Sequence, residues 1–301
     1  MRFGHSTVTR LTVLAALLLI YAGVFAALYW FTVRTLTGRV FGDAALRGAI
    51  LTQDPVADSV DLVLDLVSVA SLTGALAIVA TIALVRLARI TGLVALATMF
   101  AANGTSWLLK EALLTRPDLG LDEYAPATLN SMPSGHSTAV FSAVAAVLIV
   151  LPHRVRLAVG TAGGVFAVLT ALATMSAGWH RPADSVASFL VVGGWVVVAA
   201  AALMLLRGPT EAASEAPAQG ARWFGAFAWG AVALGAALVL ALDAAAGFRD
   251  SAVGQTFSLL TGALVVAGAA TGVLLVTLRV LELTDAAPMP HRLDHHTGGA
   301  A

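Results

Sequence analysis

Apolar residues run along this chain in blocks of roughly 20, divided by short segments that hold nearly all of its charges, and a block of that length can cross a bilayer as an α-helix. Eight such blocks lie near 11–33, 60–85, 90–109, 135–151, 157–178, 185–206, 223–246 and 255–278. The pattern predicts an all-α, polytopic membrane helix bundle. Six spans fall within 1–206, a linker covers 207–222, two further transmembrane helices occupy 223–280 and a polar tail covers 281–301. The linker, "RGPTEAASEAPAQGAR", is rich in Ala, Glu, Pro and Gly and reads as flexible. The tail reads as disordered, with His291, His295 and His296 solvated rather than metal-binding. The segment "RTLTGRVFGDAALRGAILTQDPVADSVD" after the first span is partly amphipathic, either an ordinary connector or a helix along the membrane surface.

Composition supports this class. Of 301 residues, 59% are hydrophobic and 11% charged, with a mean hydropathy of +0.89, whereas a soluble domain carries about a quarter charged residues. Net charge is zero and no basic patch suggests nucleic acid. Without cysteine, disulfides, thiol catalysis and Cys-ligated zinc are excluded. Arg2 and Arg10 precede the first block, which continues without a small-residue cleavage site and is expected to remain as an uncleaved span. With the N-terminus inside, ten arginines fall on inner segments and seven basic residues on outer ones. Three of those seven, Lys110, Arg116 and Arg181, belong to the motifs below, which leaves ten against four. Both termini are therefore expected in the cytoplasm.

Three polar clusters interrupt the apolar pattern at one membrane depth. Lys110 is the chain's single lysine and closes the third span in "WLLKEALLTRPDLG", followed by Arg116 and Pro117. A snorkelling lysine would explain Lys110 alone. "PSGHS" opens the fourth span. Ser131 or Ser134 can cap that helix, and Gly135 lets the backbone approach a ligand, but capping does not explain His136. "GWHRPAD" lies between the fifth and sixth spans. Pro182 suits a first helical turn, which lets Asp184 reach back to His180 and fix its tautomer. Together these ends offer two cations and two helix N-termini for an anion, with two histidines as nucleophile and general acid. That set suits phosphoryl transfer through a phosphohistidine. Asp61 and Asp65 share one face at the start of the second span, either stabilising a helix N-terminus or contacting Arg116 or Arg181. The last two spans are poor in polar residues apart from Asp243 and read as packing or partner surface, with a homo-oligomer as the expected partner.

The order Lys–Arg-Pro, Pro-Ser-Gly-His and His–Asp resembles the type 2 phosphatidic acid phosphatase superfamily over roughly residues 60–206. The resemblance implies a six-helix phosphatase core acting without metal or other cofactor on a lipid phosphate or pyrophosphate, of the polyprenyl or phosphatidate type, at the outer face of the cell membrane. It implies that His180 attacks phosphorus, Asp184 orients it and His136 protonates the leaving group, while Lys110, Arg116, Ser134 and the Gly135 amide hold the phosphate. Two positions depart from the family. "EALLT" between Lys110 and Arg116 is one residue shorter than usual, a rotation of about 100° on a helix, so both cations reach one phosphate only if the helix ends between them. Thr174 stands where the third motif carries Arg, and Arg181 is the candidate replacement. A phosphotransferase, or a non-catalytic lipid-phosphate binder or transporter on a degenerate site, are the alternative readings.

Overall fold

The computed structural model describes residues 5–67, 69–121, 130–207 and 219–284, so most of the expected linker and tail, including His291, His295 and His296, lie outside the described residues. The described residues form eleven α-helices and no strand. They are α1 (His5–Arg34), α2 (Leu36–Leu51), α3 (Ala57–Leu66), α4 (Val69–Val85), α5 (Arg89–Leu108), α6 (Gly135–Val150), α7 (His153–Ser176), α8 (Pro182–Arg207), α9 (Gln219–Ala244), α10 (Ala246–Arg249) and α11 (Ala252–Glu282). Five stretches are long and apolar enough to cross a membrane: Thr7–Arg34, Arg89–Leu113, His153–Ser176, Pro182–Arg207 and Ala252–Glu282. Three shorter apolar helices, Thr73–Val85, Gly135–Val150 and Val232–Ala244, fall at the remaining expected positions. Leu19, Leu84, Leu93, Phe100 and Leu240 point outward from the bundle, which in a membrane places them against lipid.

Local chemistry sets the ends that matter. Thr35, with extended φ/ψ, separates α1 from α2 and accepts the Gly38 N–H at 3.2 Å. Ser134 caps α6 in the same way through the Ser137 N–H, and Ser251 caps α11 through the Gly254 N–H. α7 ends in a Schellman turn. Gly178 takes φ +76°, its N–H donates to the Met175 carbonyl, and the Trp179 N–H donates to that of Thr174. Pro182 opens α8.

α8 is the central helix, packed against α1, α5, α6 and α11 and lined along its length by buried residues from Pro182 to Met204. A polar seam crosses its upper half. Ser188 donates to the Ser134 carbonyl, the Ser137 and Ser185 hydroxyls lie 2.9 Å apart, and Thr138 donates to Ser106. Small hydroxyl side chains of this kind let membrane helices pack closely while remaining hydrogen-bonded.

Three departures from the sequence expectation have physical causes. α2 is neither a loose connector nor a helix resting on a membrane: Gly38, Arg39, Gly42, Asp43 and Gly48 are among its buried residues. It packs against α1 and α11 so tightly that a Cβ at Gly48 would stand 2.1 Å from the Gln255 carbonyl oxygen. The expected span 60–85 is divided, with α3 ending at Leu66 and α4 beginning at Val69. Asp61 and Asp65 are exposed on α3, and it is Asp43 that contacts Arg116 and Arg181. Finally, α9 starts at Gln219, inside the expected linker, and α11 packs along α2, α7 and α8 as well as α9.

Candidate active site

The C-terminal ends of α1, α5 and α7 and the N-terminal ends of α6 and α8 meet at one end of the bundle. Tyr29 donates to the Thr115 carbonyl at 2.6 Å, and the Ser134 N–H donates to the Asp184 carbonyl at 3.0 Å. At the opposite end, Arg86 donates to the Val150 carbonyl and Arg156 Nε to those of Leu148 and Leu151, satisfying the last carbonyls of α6.

His180 and Asp184 form the centre of the site. His180 Nδ1 lies 3.3 Å from Asp184 Oδ2, and both residues are buried. The same oxygen accepts the Ser131 hydroxyl at 2.6 Å and the Arg181 N–H at 2.9 Å. The last bond is half of a capping box, in which an acidic residue in the first turn satisfies the N-cap N–H. Asp184 therefore both starts α8 and turns His180. With Nδ1–H donated to the carboxylate, the Nε2 lone pair is left for chemistry.

His136 sits in the first turn of α6, half-buried, its ring 5.4 Å from that of Trp179. The imidazole of His180 and the ammonium of Lys110 are close enough to interact with it electrostatically. Ser134 is fully buried and accepts the Ser137 N–H, so it is the cap, while Ser131 serves Asp184. Gly135 is exposed, and a Cβ there would meet nothing within 4 Å. The start of α6 at Gly135 is thus open, at a helix end whose dipole favours an anion.

Lys110 and Arg116 are separated by the end of their helix. Residues Leu109–Leu113 form a π-turn, and Leu114 is extended (φ −95°, ψ 137°). The wider turn and the break release Arg116 from the helical rotation that the short "EALLT" spacing would impose. Asn130 bridges this end to the next motif, donating to the carbonyls of Lys110, Leu114 and Met132.

Arg116 and Arg181 converge on Asp43 of α2. Arg181 Nε and Nη2 each lie 2.7 Å from Asp43 Oδ1, and Arg116 Nη2 lies 3.5 Å from it. Arg39, one turn earlier and also buried, donates to the Pro117 carbonyl at 2.9 Å. Burial, followed by the guanidiniums of Arg181 and Arg39, pulls the pKa of Arg116 down to about 10, with Asp43 and Asp184 acting the other way. Arg116 remains a cation at neutral pH. Thr174 is buried, donates to the Ala171 carbonyl and accepts the Trp179 and His180 N–H groups on its own carbonyl. It brings no charge to the site but fixes the turn that delivers His180.

The sequence reading thus named His180, His136, Asp184, Lys110, Arg116, Ser134, Gly135 and Arg181, all of which lie at this end of the bundle. It passed over Trp179, Asn130, Arg39 and Asp43. The available signal for α2 was Arg39, Asp43 and Arg47 at four-residue intervals among glycines and alanines. Below the site, an apolar groove of about 440 Å³ runs between α1, α5 and α8, lined among others by Leu18, Tyr21, Leu109, Leu190, Gly194 and Trp195. Leu109 adjoins Lys110, and Leu190 lies six residues along α8 from Asp184, about 9 Å by helical rise. Among the described residues no cluster of three His, Asp or Glu side chains has metal-binding geometry.

Residues 91–209 match the family model of the PAP2 superfamily. No curated protein and no solved structure matches the chain.

Proposed function

We propose that this protein, whose residues 91–209 match the family model of the PAP2 superfamily, is an integral membrane phosphatase. It hydrolyses a lipid phosphate or pyrophosphate through a phosphohistidine, at the outer membrane face. The observation that carries the reading is the buried His180–Asp184 pair beside His136 and an open helix N-terminus. A non-catalytic binder, the reading that Thr174 favours, has no use for an oriented nucleophile.

In this mechanism His180 Nε2 attacks phosphorus and the bond to the leaving oxygen breaks. His136 gives that oxygen its proton. Asp184 stabilises the positive charge that grows on the His180 ring. Arg116, Arg181, Lys110 and the amides at Gly135 and His136 hold the equatorial oxygens, where preorganised donors lower the barrier most. Water then attacks the phosphohistidine, His136 takes its proton, and phosphate leaves. A phosphotransferase would differ only in admitting an alcohol in place of water.

Purified protein is expected to release inorganic phosphate from a panel of phosphatidate and polyprenyl phosphates and diphosphates, with inhibition by vanadate as a mimic of pentavalent phosphorus. Tight binding of a non-hydrolysable lipid phosphonate without any phosphate release would replace this reading by the binder.

The groove between α1, α5 and α8 supports a lipid substrate, because its apolar lining continues from Lys110 into the span. A Cβ at Gly194 would stand 3.6 Å from Leu18 Cδ1, ordinary contact, so Gly194→Ala is expected to be tolerated. Gly194→Leu fills the groove. It is expected to raise KM roughly tenfold for long-chain substrates, the discrimination one or two methylenes supply in an apolar pocket, and to leave short-chain soluble phosphates unchanged. Equal effects on both substrate classes would remove the groove from the account of the chain.

A further inference from the structure

We infer that α2, outside the family segment, is a fourth element of the phosphate site, with Asp43 the positioning residue that aims Arg181 and Arg116 at the phosphate. The inference rests on the proposed phosphatase reading and extends it to residues that the three motifs do not contain.

The first argument is charge. Arg116 and Arg181 are both buried cations, and Arg39 is a third guanidinium near them. Two guanidiniums side by side repel, and in a poorly hydrated site the repulsion is strong. Asp43 offsets one charge and leaves the pair with a net positive charge for a second anion.

The second argument is direction. Arg181 follows His180 in sequence, but consecutive residues need not aim at the same point. Arg181 Nε donates to Asp43 Oδ1 and Nη2 lies within ion-pair distance of the same oxygen, which orients the guanidinium. The same oxygen draws Arg116 toward it. The pair thereby supplies the double cation that the family builds partly from the position now held by Thr174.

The third argument is packing. α2 reaches the site because its residues are small where it must come close. A Cβ at Gly42 would stand 3.2 Å from Arg181 Cδ. Arg39 ties the helix to the Arg116–Pro117 turn through the Pro117 carbonyl. At four-residue spacing Arg39 and Asp43 share one helix face, so one face holds the backbone of one motif and the side chains of two.

The test is a double-mutant cycle on purified full-length protein, reading binding of a lipid phosphonate alongside phosphate release. Asp43→Asn keeps the size of the side chain and removes its charge. It is expected to weaken phosphonate binding about tenfold and to lower kcat/KM about a hundredfold, the scale of losing one preorganised donor. Asp43→Glu keeps the charge and is expected to recover most of the binding. In an Arg181→Gln background, Asp43→Asn should cost far less, because its main target is gone. Unchanged binding and turnover in Asp43→Asn, or full additivity with Arg181→Gln, overturns the inference. So does tighter phosphonate binding, which would make Asp43 a competitor for the anion's place. Where wild type binds and hydrolyses, those results sink the role of α2 alone. Wild type that neither binds phosphonate nor releases phosphate sinks the phosphatase reading as well.

Discussion

His180→Ala is expected to lower phosphate release by roughly 10⁴-fold or more while lipid phosphonate still binds. Deleting a covalent nucleophile leaves only what positioning and charge contribute, and a 10⁴-fold loss is about 5.4 kcal/mol in activation free energy. Binding should survive because Lys110, Arg116, Arg181 and the α6 N-terminus are untouched. The fold should survive too. Among the described residues, the polar contact of the His180 side chain is with Asp184 Oδ2, and that oxygen keeps the Ser131 hydroxyl and the Arg181 N–H. Single-turnover phosphate release measured beside phosphonate affinity separates the two effects. If turnover persists within tenfold of wild type, His180 does not form the covalent bond, and a direct attack of water activated by His136 becomes the better mechanism.

The residues that make this prediction possible were legible in the sequence because their partners are close along the chain. His180 and Asp184 are four apart, with Pro182 fixing the helix start between them. Ser134 and Gly135 announce the start of α6 directly. The eight apolar blocks gave the bundle for the same reason, since length and hydropathy are local properties. What could not be read was contact across the chain. Asp43 and Arg181 are 138 residues apart, and nothing in "TGRVFGDAALRGA" says that its charged face turns inward rather than to water. An amphipathic run ordinarily hides its apolar side and exposes its charges. Here the small residues go to α11 and Arg181, and Arg39 and Asp43 go to the motifs. Ser131 shows the same limit at shorter range: a serine before a helix reads as a cap, but the cap is Ser134, and Ser131 is drawn 53 residues away to Asp184. The spacing of Lys110 and Arg116 posed a problem that the sequence could state and only the backbone could answer, by a π-turn and a helix end between them.

Asp184 separates charge from geometry, and its two substitutions should fail differently. Three donors point at Oδ2: the Ser131 hydroxyl, the Arg181 N–H and His180 Nδ1–H. An asparagine must therefore turn its carbonyl oxygen to that position, because an amide N–H there would face three donors. Asp184→Asn thus keeps the start of α8, the hydrogen bond to His180 and its tautomer. Only the negative charge is lost, and with it the stabilisation of the cationic ring formed as His180 attacks. The expected loss in kcat is roughly 10²–10³-fold, about 2.7–4 kcal/mol, with thermal stability in detergent close to wild type. Asp184→Ala removes the acceptor altogether. Each buried donor left without a partner costs about 1–3 kcal/mol, so this variant should lose several degrees of Tm as well as activity, and α8 should fray at Pro182. The measurement is kcat and thermal unfolding for both variants, repeated in a His180→Ala background. There the charge has no ring to stabilise, so Asp184→Asn should cost nothing further in turnover while Asp184→Ala should still lower Tm. Near-wild-type turnover in Asp184→Asn would mean that the carboxylate builds the turn but takes no part in the reaction.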